Sequence, residues 1–409
     1  MTDFEQATAA RITDEDIERQ RLLVGVDTAI SMREYVTVAN EDAIRAFAVG
    51  CGDDNPLFVD PTYGRTTRWG SQIAPPIMAG IVNAPMEGDP VDPDIKKRTA
   101  GVFRGIHVFV SGGSWQWFRP IHAGDRLMSF GGIESIEVKE SEFAERSVIR
   151  IRRYVKLNQR GEIVAVQRIV AILAERKTAR ERGKYAGIEP AQYSDDDIAA
   201  IDAVYEAEVR RGAEPRWFED VKVGDELGPM AKGPLTETEI IVFHAGGYGF
   251  TPYAPTASRL AHQNRRRIPG FYVKNDQGIP DVAQRVHWDS EWAQAVGNPM
   301  AYDYGYMREC WLHHLLTDWA GDDGWVVAQA DRVQRFNYIG DTHMLRGTVT
   351  GTRIDDGRPV VDVELRATNQ RGEDTVTGTA TIALPSREHG PVALPRPPVE
   401  LERVAATMF

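Results

Sequence analysis

The sequence predicts an α+β chain built from two copies of one domain, each an antiparallel sheet wrapped around a central helix. Three observations carry this reading: a long-period internal repeat, a strand hairpin around the same turn in each copy, and one strongly apolar helix. Asn158-Gln159-Arg160-Gly161-Glu162 recurs unchanged as Asn369-Gln370-Arg371-Gly372-Glu373, an offset of 211 residues. Upstream, Phe118-Arg119-Pro120-Ile121-His122-Ala123-Gly124-Asp125 has a counterpart in Phe336-Asn337-Tyr338-Ile339-Gly340-Asp341, where the Gly-Asp offset is 216. A period this long indicates a duplicated domain, not a solenoid.

The hairpins come first. Val148–Leu157 largely alternates apolar and polar residues, turns at Asn158–Gly161, and resumes as an apolar run from Ile163 to Leu173. Val360–Ala367, the turn at Asn369–Gly372 and Thr375–Leu384 repeat the pattern. Period-two alternation around an Asn/Gly turn is a hairpin signal. The helix runs from about Tyr304 to Trp319, with Met307, Trp311, Leu312, Leu315, Leu316 and Trp319 at helical spacing. Arg308 intrudes near the edge of that face, and Gly321 is a stop signal.

The remaining segments complete the map. Residues 1–175 form the first domain, and 176–214, dense in charge and Ala, form a helical linker. The second domain spans 215–388, and the Pro-rich stretch 389–409 reads as an extended tail. The 409 residues carry 48 Lys+Arg against 60 Asp+Glu, a formal charge of −12. That balance argues against a nucleic-acid binder, although it averages away any small basic pocket. Two cysteines, Cys51 and Cys310, are too few for a disulfide framework or zinc cluster. The amino terminus lacks a signal-peptide pattern, and no run of about 18 apolar residues is present. The expectation is a cytoplasmic protein with no membrane or nucleic-acid partner.

The sharpest local signal is Gly52-Asp53-Asp54-Asn55-Pro56-Leu57-Phe58-Val59-Asp60, followed by Ile73-Ala74-Pro75-Pro76-Ile77-Met78. Taken bare, Asp-Asp-Asn-Pro is a turn. With both halves considered, the chain resembles a double hot-dog member of the MaoC-like hydratase/dehydratase family, related to type 2 enoyl-CoA hydratases. The family motif is Asp-x-Asn-Pro-Leu/Ile-His-x-Asp, then an apolar His-Gly-Met segment opening the central helix. The resemblance covers roughly 30–175 and 215–385. It implies that an Asp and a His activate water for addition to C3 of a 2-enoyl thioester, while a backbone N–H holds the thioester oxygen.

Residue by residue, the halves differ. In the first, Asp53, Asn55, Pro56, Leu57 and Asp60 match, but Phe58 stands where the His belongs and Pro76, without an N–H, where the Gly belongs. The first half is therefore expected to be non-catalytic, with Asp53 a structural turn residue. In the second half, Val286-His287-Trp288-Asp289 through Gly297-Asn298-Pro299-Met300 resembles the motif, and Tyr302–Met307 resembles the segment opening the helix. The resemblance makes His287 the acid/base, Gly305 the oxyanion donor and Tyr304 a substrate-binding neighbour. Asp281 is the expected carboxylate partner, one residue off the family spacing, with His244 and Asp276 as substitutes. An inserted segment from about Tyr248 to Pro280 separates Thr236–Gly247 from His287. It contains Arg265-Arg266-Arg267, suited to the phosphates of CoA, as is Lys96-Lys97-Arg98 in the first half.

The functional expectation is hydration of a 2-enoyl-CoA, or the reverse dehydration, with acyl-CoA as the ligand; the altered helix-opening segment of the first half and the insertion in the second point to a bulky acyl chain. No metal and no cofactor are expected, because His313 and His314 are adjacent and no ligand spacing stands out. Two alternatives stay open: a non-catalytic hot-dog partner subunit of another hydratase, or an acyl-CoA thioesterase. The chain is expected as a homodimer or a hetero-oligomer with another hot-dog chain.

Overall fold

A computed structural model describes residues 11–88, 91–141, 145–175, 187–250 and 254–409. The amino-terminal Met1–Glu5 and the charged Arg176-Lys177 of the linker lie outside the described residues. Ten strands follow the chain: β1 (Thr28–Ala29), β2 (His107–Trp117), β3 (Met128–Ser141), β4 (Glu145–Leu157), β5 (Ile163–Ala174), β6 (Glu226–Lys232), β7 (Trp325–Val333), β8 (His343–Asp355), β9 (Arg358–Asn369) and β10 (Asp374–Ala383). They form one sheet in the order β1-β3-β4-β5-β2-β7-β10-β9-β8-β6. Every pairing is antiparallel.

This is a double hot-dog, with two corrections to the sequence reading. The two expected sheets are one, because β2 pairs with β7 from Ala328↔Gln116 to Arg332↔Gly112 and closes the seam between the halves. Gly112 makes the approach possible: its φ is +135°, and a Cβ there would stand 2.1 Å from the Asp331 carbonyl oxygen. Among the described residues, only the second half has a long central helix. Its counterpart in the first half is a single 3₁₀ turn, Pro76–Gly80, whose continuation runs into Pro85.

Six of the helices matter here: α1 (Glu41–Gly50), α2 (Asp195–Ala207), α3 (Glu237–Phe243), α4 (Arg259–Arg267), α5 (Gly305–Ala320) and α6 (Val399–Met408). The expected Tyr304–Trp319 helix is α5, stopped at Gly321 with φ +75°. It is buried on all sides from Met307 to Leu316, not on one face, because the sheet covers one side and the first half the other. One apolar cluster therefore crosses the halves, joining Phe47, Ile77, Met78 and Trp117 to Met307, Trp311, Leu315 and Trp325.

Of the remaining segments, the linker holds a helix as expected and the tail departs from the expected form. Within the linker, α2 starts at a capping box: the Ser194 hydroxyl accepts from Asp197 N–H, and the Asp197 carboxylate accepts from Ser194 N–H at 2.8 Å. The tail is not extended throughout. Beyond Pro398 the prolines stop, and Leu401, Ala405 and Met408 recur on one face of α6, which packs on Met86, Phe130 and Leu157 of the first half. The inserted segment holds α4 and a two-stranded ribbon, Tyr272–Lys274 against Pro280–Val282.

Candidate active site

The second-half site is built around the start of α5. Gly305 is the first helical residue, and Tyr304 before it offers no side-chain cap, so the Gly305 N–H has no capping side chain and is open to a ligand, whereas Met307 N–H already donates to the Tyr304 carbonyl at 2.9 Å. Space is open there: the nearest atom to a Cβ on Gly305 would be Val333 Cγ2 at 3.9 Å. The positive end of the helix favours developing negative charge at this point.

The loop leading into α5 is held by a buried ion pair. Arg308 Nε lies 2.9 Å from Asp303 Oδ2, and Asn337 Nδ2 donates to the same oxygen at 2.8 Å. Asp303 N–H in turn donates to the Asn337 carbonyl at 2.9 Å. Burial pushes the Asp303 carboxyl up to about 6, while Arg308 and Asn337 pull it back down. Arg308, which broke the apolar pattern of the helix in the sequence, is thus the clamp for the loop that carries the site.

His287 ends a 3₁₀ turn, Ala283–His287, and hangs on that loop. Its Nδ1–H donates to the Tyr302 carbonyl at 2.8 Å. A carbonyl can only accept, so Nδ1 carries the proton and Nε2 keeps its lone pair. Burial pushes the imidazole down to about 4, so it is neutral at pH 7. The ring stacks on Tyr304 with centroids 3.8 Å apart, which places the imidazole against the residue preceding Gly305.

A second polar chain runs behind Tyr304. His244 Nδ1–H donates to the Gly249 carbonyl at 2.6 Å, leaving Nε2 to accept from the Tyr304 hydroxyl at 3.1 Å. Gln284 Nε2 donates to the same hydroxyl at 2.9 Å. Phe250 stacks on His244 at 3.9 Å and Trp288 meets both edge-on, forming an aromatic wall. The sequence offered His244 as a replacement for Asp281; it buttresses Tyr304 instead. Asp303, Asn337 and Gln284 were missed, because their role depends on contacts between distant segments.

Asp281 does not meet His287. It lies in the ribbon opposite Val273, and its Oδ1 accepts from Val282 N–H at 2.6 Å. Asp276 caps the ribbon turn, accepting from Gln277 N–H at 3.0 Å. Asp289 caps the short helix Ser290–Ala295 and pairs with Arg285 at 3.0 Å. Among the described residues no carboxylate is hydrogen-bonded to His287. The register explains why. Asn40 and Thr236 cap α1 and α3, and Gly50 meets Gly246 where these helices touch, an offset of 196 residues. Phe58 and His287, and the caps Asp60 and Asp289, are offset by 229. The 33-residue difference falls where the motif Asp would stand. Its neighbours on either side of the insertion become Gly249 and Val282.

Arg265, Arg266 and Arg267 form the last turn of α4. Arg265 donates to the Thr256 carbonyl at 3.0 Å, whereas Arg266 and Arg267 are exposed and pair with no acid among the described residues. Lys96-Lys97-Arg98 likewise ends a short helix, Pro93–Arg98.

In the first half the same positions hold packing residues. Phe58 is buried with Ala48, Leu57 and Ile73. Pro76 opens the 3₁₀ turn, and the Tyr306 hydroxyl from α5 donates to the Ile77 carbonyl at 2.5 Å. Asp53 makes the expected turn bond, accepting from Asn55 N–H at 3.0 Å, but it also faces α5.

A double hot-dog with an uncapped glycine N–H and a neutral histidine beside it has the parts of a hydratase or dehydratase. A family model described as "FAS1-like, dehydratase domain region" matches residues 23–167. A Streptomyces avermitilis protein described as "UPF0336 protein" is 31% identical over 137 residues, covering 33% of this chain and 84% of the relative. A solved "MaoC-like dehydratase" superposes with a TM-score of 0.58 at 17% identity, covering 89% of this chain and 99% of its own. A putative MaoC domain protein dehydratase from Chloroflexus aurantiacus superposes at 0.54 with 10% identity, covering 89% and 96%. The chain belongs to the MaoC-like hot-dog family of dehydratases and hydratases. No described helix is long and apolar enough to cross a membrane.

Proposed function

We propose that the chain adds water to a 2-enoyl-CoA thioester, giving a 3-hydroxyacyl-CoA, or runs the reverse dehydration, at the second-half site. The observation that carries this reading is His287: a neutral imidazole with Nε2 unprotonated, stacked on the residue that precedes the uncapped Gly305 N–H. Nε2 takes a proton from water as its oxygen bonds to C3. The thioester oxygen gains charge and is held by Gly305 N–H. The imidazolium then returns the proton to C2, so the elements of one water are added. The Tyr302 carbonyl orients the ring and stabilises its charged form. Arg266 and Arg267 serve the CoA phosphates. The single 3₁₀ turn in the first half supports a bulky acyl chain, with that half as pocket wall.

The test is a panel of 2-enoyl-CoA thioesters followed by loss of the conjugated absorbance. His287→Ala is expected to lower turnover by about 10²–10⁴-fold. Unchanged turnover in that variant would refute the assignment. One observation favours a second reading, a non-catalytic partner of another hot-dog chain: no described carboxylate bonds His287. Activity that arises only on mixing with a second hot-dog chain, and persists in His287→Ala, would select it.

A further inference from the structure

A second group of buried polar side chains lies across the halves, away from His287. His314 and Asp318 stand one turn apart on α5 and share a face. Asp53 comes to the same point from the first-half motif loop. His314 Nε2 lies 3.2 Å from Asp318 Oδ2 and 3.6 Å from Asp53 Oδ1, and one ligand atom from each of the three falls within 4.8 Å of the others. Both His314 and Asp53 are more than nine-tenths buried.

Neither approach is a hydrogen bond: among the described residues His314 Nε2 has no partner, and neither has Asp318 Oδ1. Leaving such atoms unmade in a protein interior costs about 1–3 kcal/mol each. The spacing suits another occupant. Tetrahedral bonds of about 2.0–2.1 Å to N and O ligands set those atoms about 3.3–3.4 Å apart, between the two separations seen here. A water would supply the fourth ligand of a tetrahedral ion.

We propose that Asp53, His314 and Asp318 bind one divalent transition-metal ion, Zn²⁺ in the first instance, which ties the first-half motif loop to the central helix. An imidazole nitrogen with two carboxylates suits Zn²⁺ and its neighbours better than Ca²⁺ or Mg²⁺, which favour all-oxygen sites. Lys232 is the outer partner. Its Nζ lies 2.9 Å from His314 Nδ1 and donates to the Cys51 and Gly52 carbonyls at 3.1 and 3.2 Å. With the metal on Nε2, Nδ1 faces Lys232 Nζ, which the Cys51 and Gly52 carbonyls hold in place, so the far side of the ring is positioned as such partners do. No pattern along the chain signals this set, since Asp53 and His314 are 261 residues apart and the adjacent His313 turns away to Gln329.

The site is separate from His287, so the test does not depend on hydratase activity. The full chain is stripped with a chelator and titrated calorimetrically with Zn²⁺. The expected result is one ion per chain, with binding weakened at least about 100-fold in Asp53→Asn and in His314→Gln and unchanged in the exposed His389→Gln. Should either site variant fail to fold, Co²⁺ loaded into the unaltered chain decides, because a tetrahedral site gives visible d–d absorption that Zn²⁺ abolishes. No stoichiometric uptake, an octahedral Co²⁺ spectrum, or uptake lost only in His389→Gln would overturn the proposal. The first of these would leave the four groups as an ion network neutralised by Lys232.

Discussion

The two halves agree wherever a residue closes the sheet and part wherever a residue would do chemistry. In each, the turn Asn accepts from two backbone N–H groups: Asn158 Oδ1 from Arg160 and Glu162, at 3.0 and 3.1 Å, and Asn369 Oδ1 from Arg371 and Glu373, both at 3.0 Å. In each, the next Gln reaches the Asp of the Gly-Asp pair, Gln159 to Asp125 at 2.8 Å and Gln370 to Asp341 at 2.7 Å. The repeated pentapeptide and the repeated Gly-Asp are therefore one device, a latch between the hairpin turn and the strand entry. At the motif, by contrast, Phe58 faces core in one half while His287 faces Tyr302 and Tyr304 in the other.

The largest expected effect comes from exchanging those two residues. His287→Phe should remove about 10²–10⁴-fold of turnover, and adding Phe58→His should restore none of it. Pro76 has no N–H to offer, and the introduced imidazole would be buried among Leu57, Ile73 and Ala48. Recovery of activity in the exchanged chain would show that the first half retains a usable site.

The pH profile sharpens the same contrast. As the proposed base, His287 works only when unprotonated, and burial holds it at about 4. Protonation below that value should remove activity, giving kcat/KM an acid limb near pH 4. At pH 5 about nine-tenths of the plateau rate should remain, against about 3% for an imidazole titrating near the usual 6.5. Initial rates at pH 5 and 8 distinguish the two. A limb near 6.5 would mean that the acting base is not the buried His287.

These features differ in how legible they were. The hairpins, the α5 boundaries and the Phe58/His287 contrast rest on local pattern or aligned motif, and the residues alone expose them. The partner of His287 was misplaced because the insertion breaks linear spacing at that point. The first-half helix was expected by symmetry with α5, yet its sequence reads Pro76-Ile77-Met78-Ala79-Gly80 and soon meets Pro85. The Asp303–Arg308–Asn337 clamp and the Asp53–His314–Asp318 group join segments far apart in the chain. No periodicity carries such contacts.

Phe58→Ala tests the packing side of the comparison. Phe58 is 2% exposed, so the change leaves a cavity and should cost about 3–5 kcal/mol of unfolding free energy by denaturant titration. A cost below about 1 kcal/mol would mean that the motif position is not core in this half. The latch should be symmetrical and smaller. Asn158→Ala and Asn369→Ala each strand two backbone donors and should cost about 1–3 kcal/mol. A large difference between them would show that the shared turn carries unequal weight in the two halves.

Tyr306 supplies the smallest effect and the most direct test of how the halves are joined. It sits in the first turn of α5, yet its hydroxyl donates to Ile77 in the first-half 3₁₀ turn. A Cβ added at Gly80 would stand 2.3 Å from that hydroxyl oxygen and 2.7 Å from the ring carbon bearing it. Glycine is thus required there by the partner side chain, since Gly80 is not among the positive-φ glycines. Tyr306→Phe loses one hydrogen bond and should cost about 0.5–1.5 kcal/mol. Gly80→Ala should cost more, by overlap. Their combination should cost less than the sum, because removing the hydroxyl relieves the closest contact. Strict additivity in that cycle would mean that Gly80 is held open for something other than Tyr306, and that the second-half helix does not brace the turn that replaced its counterpart.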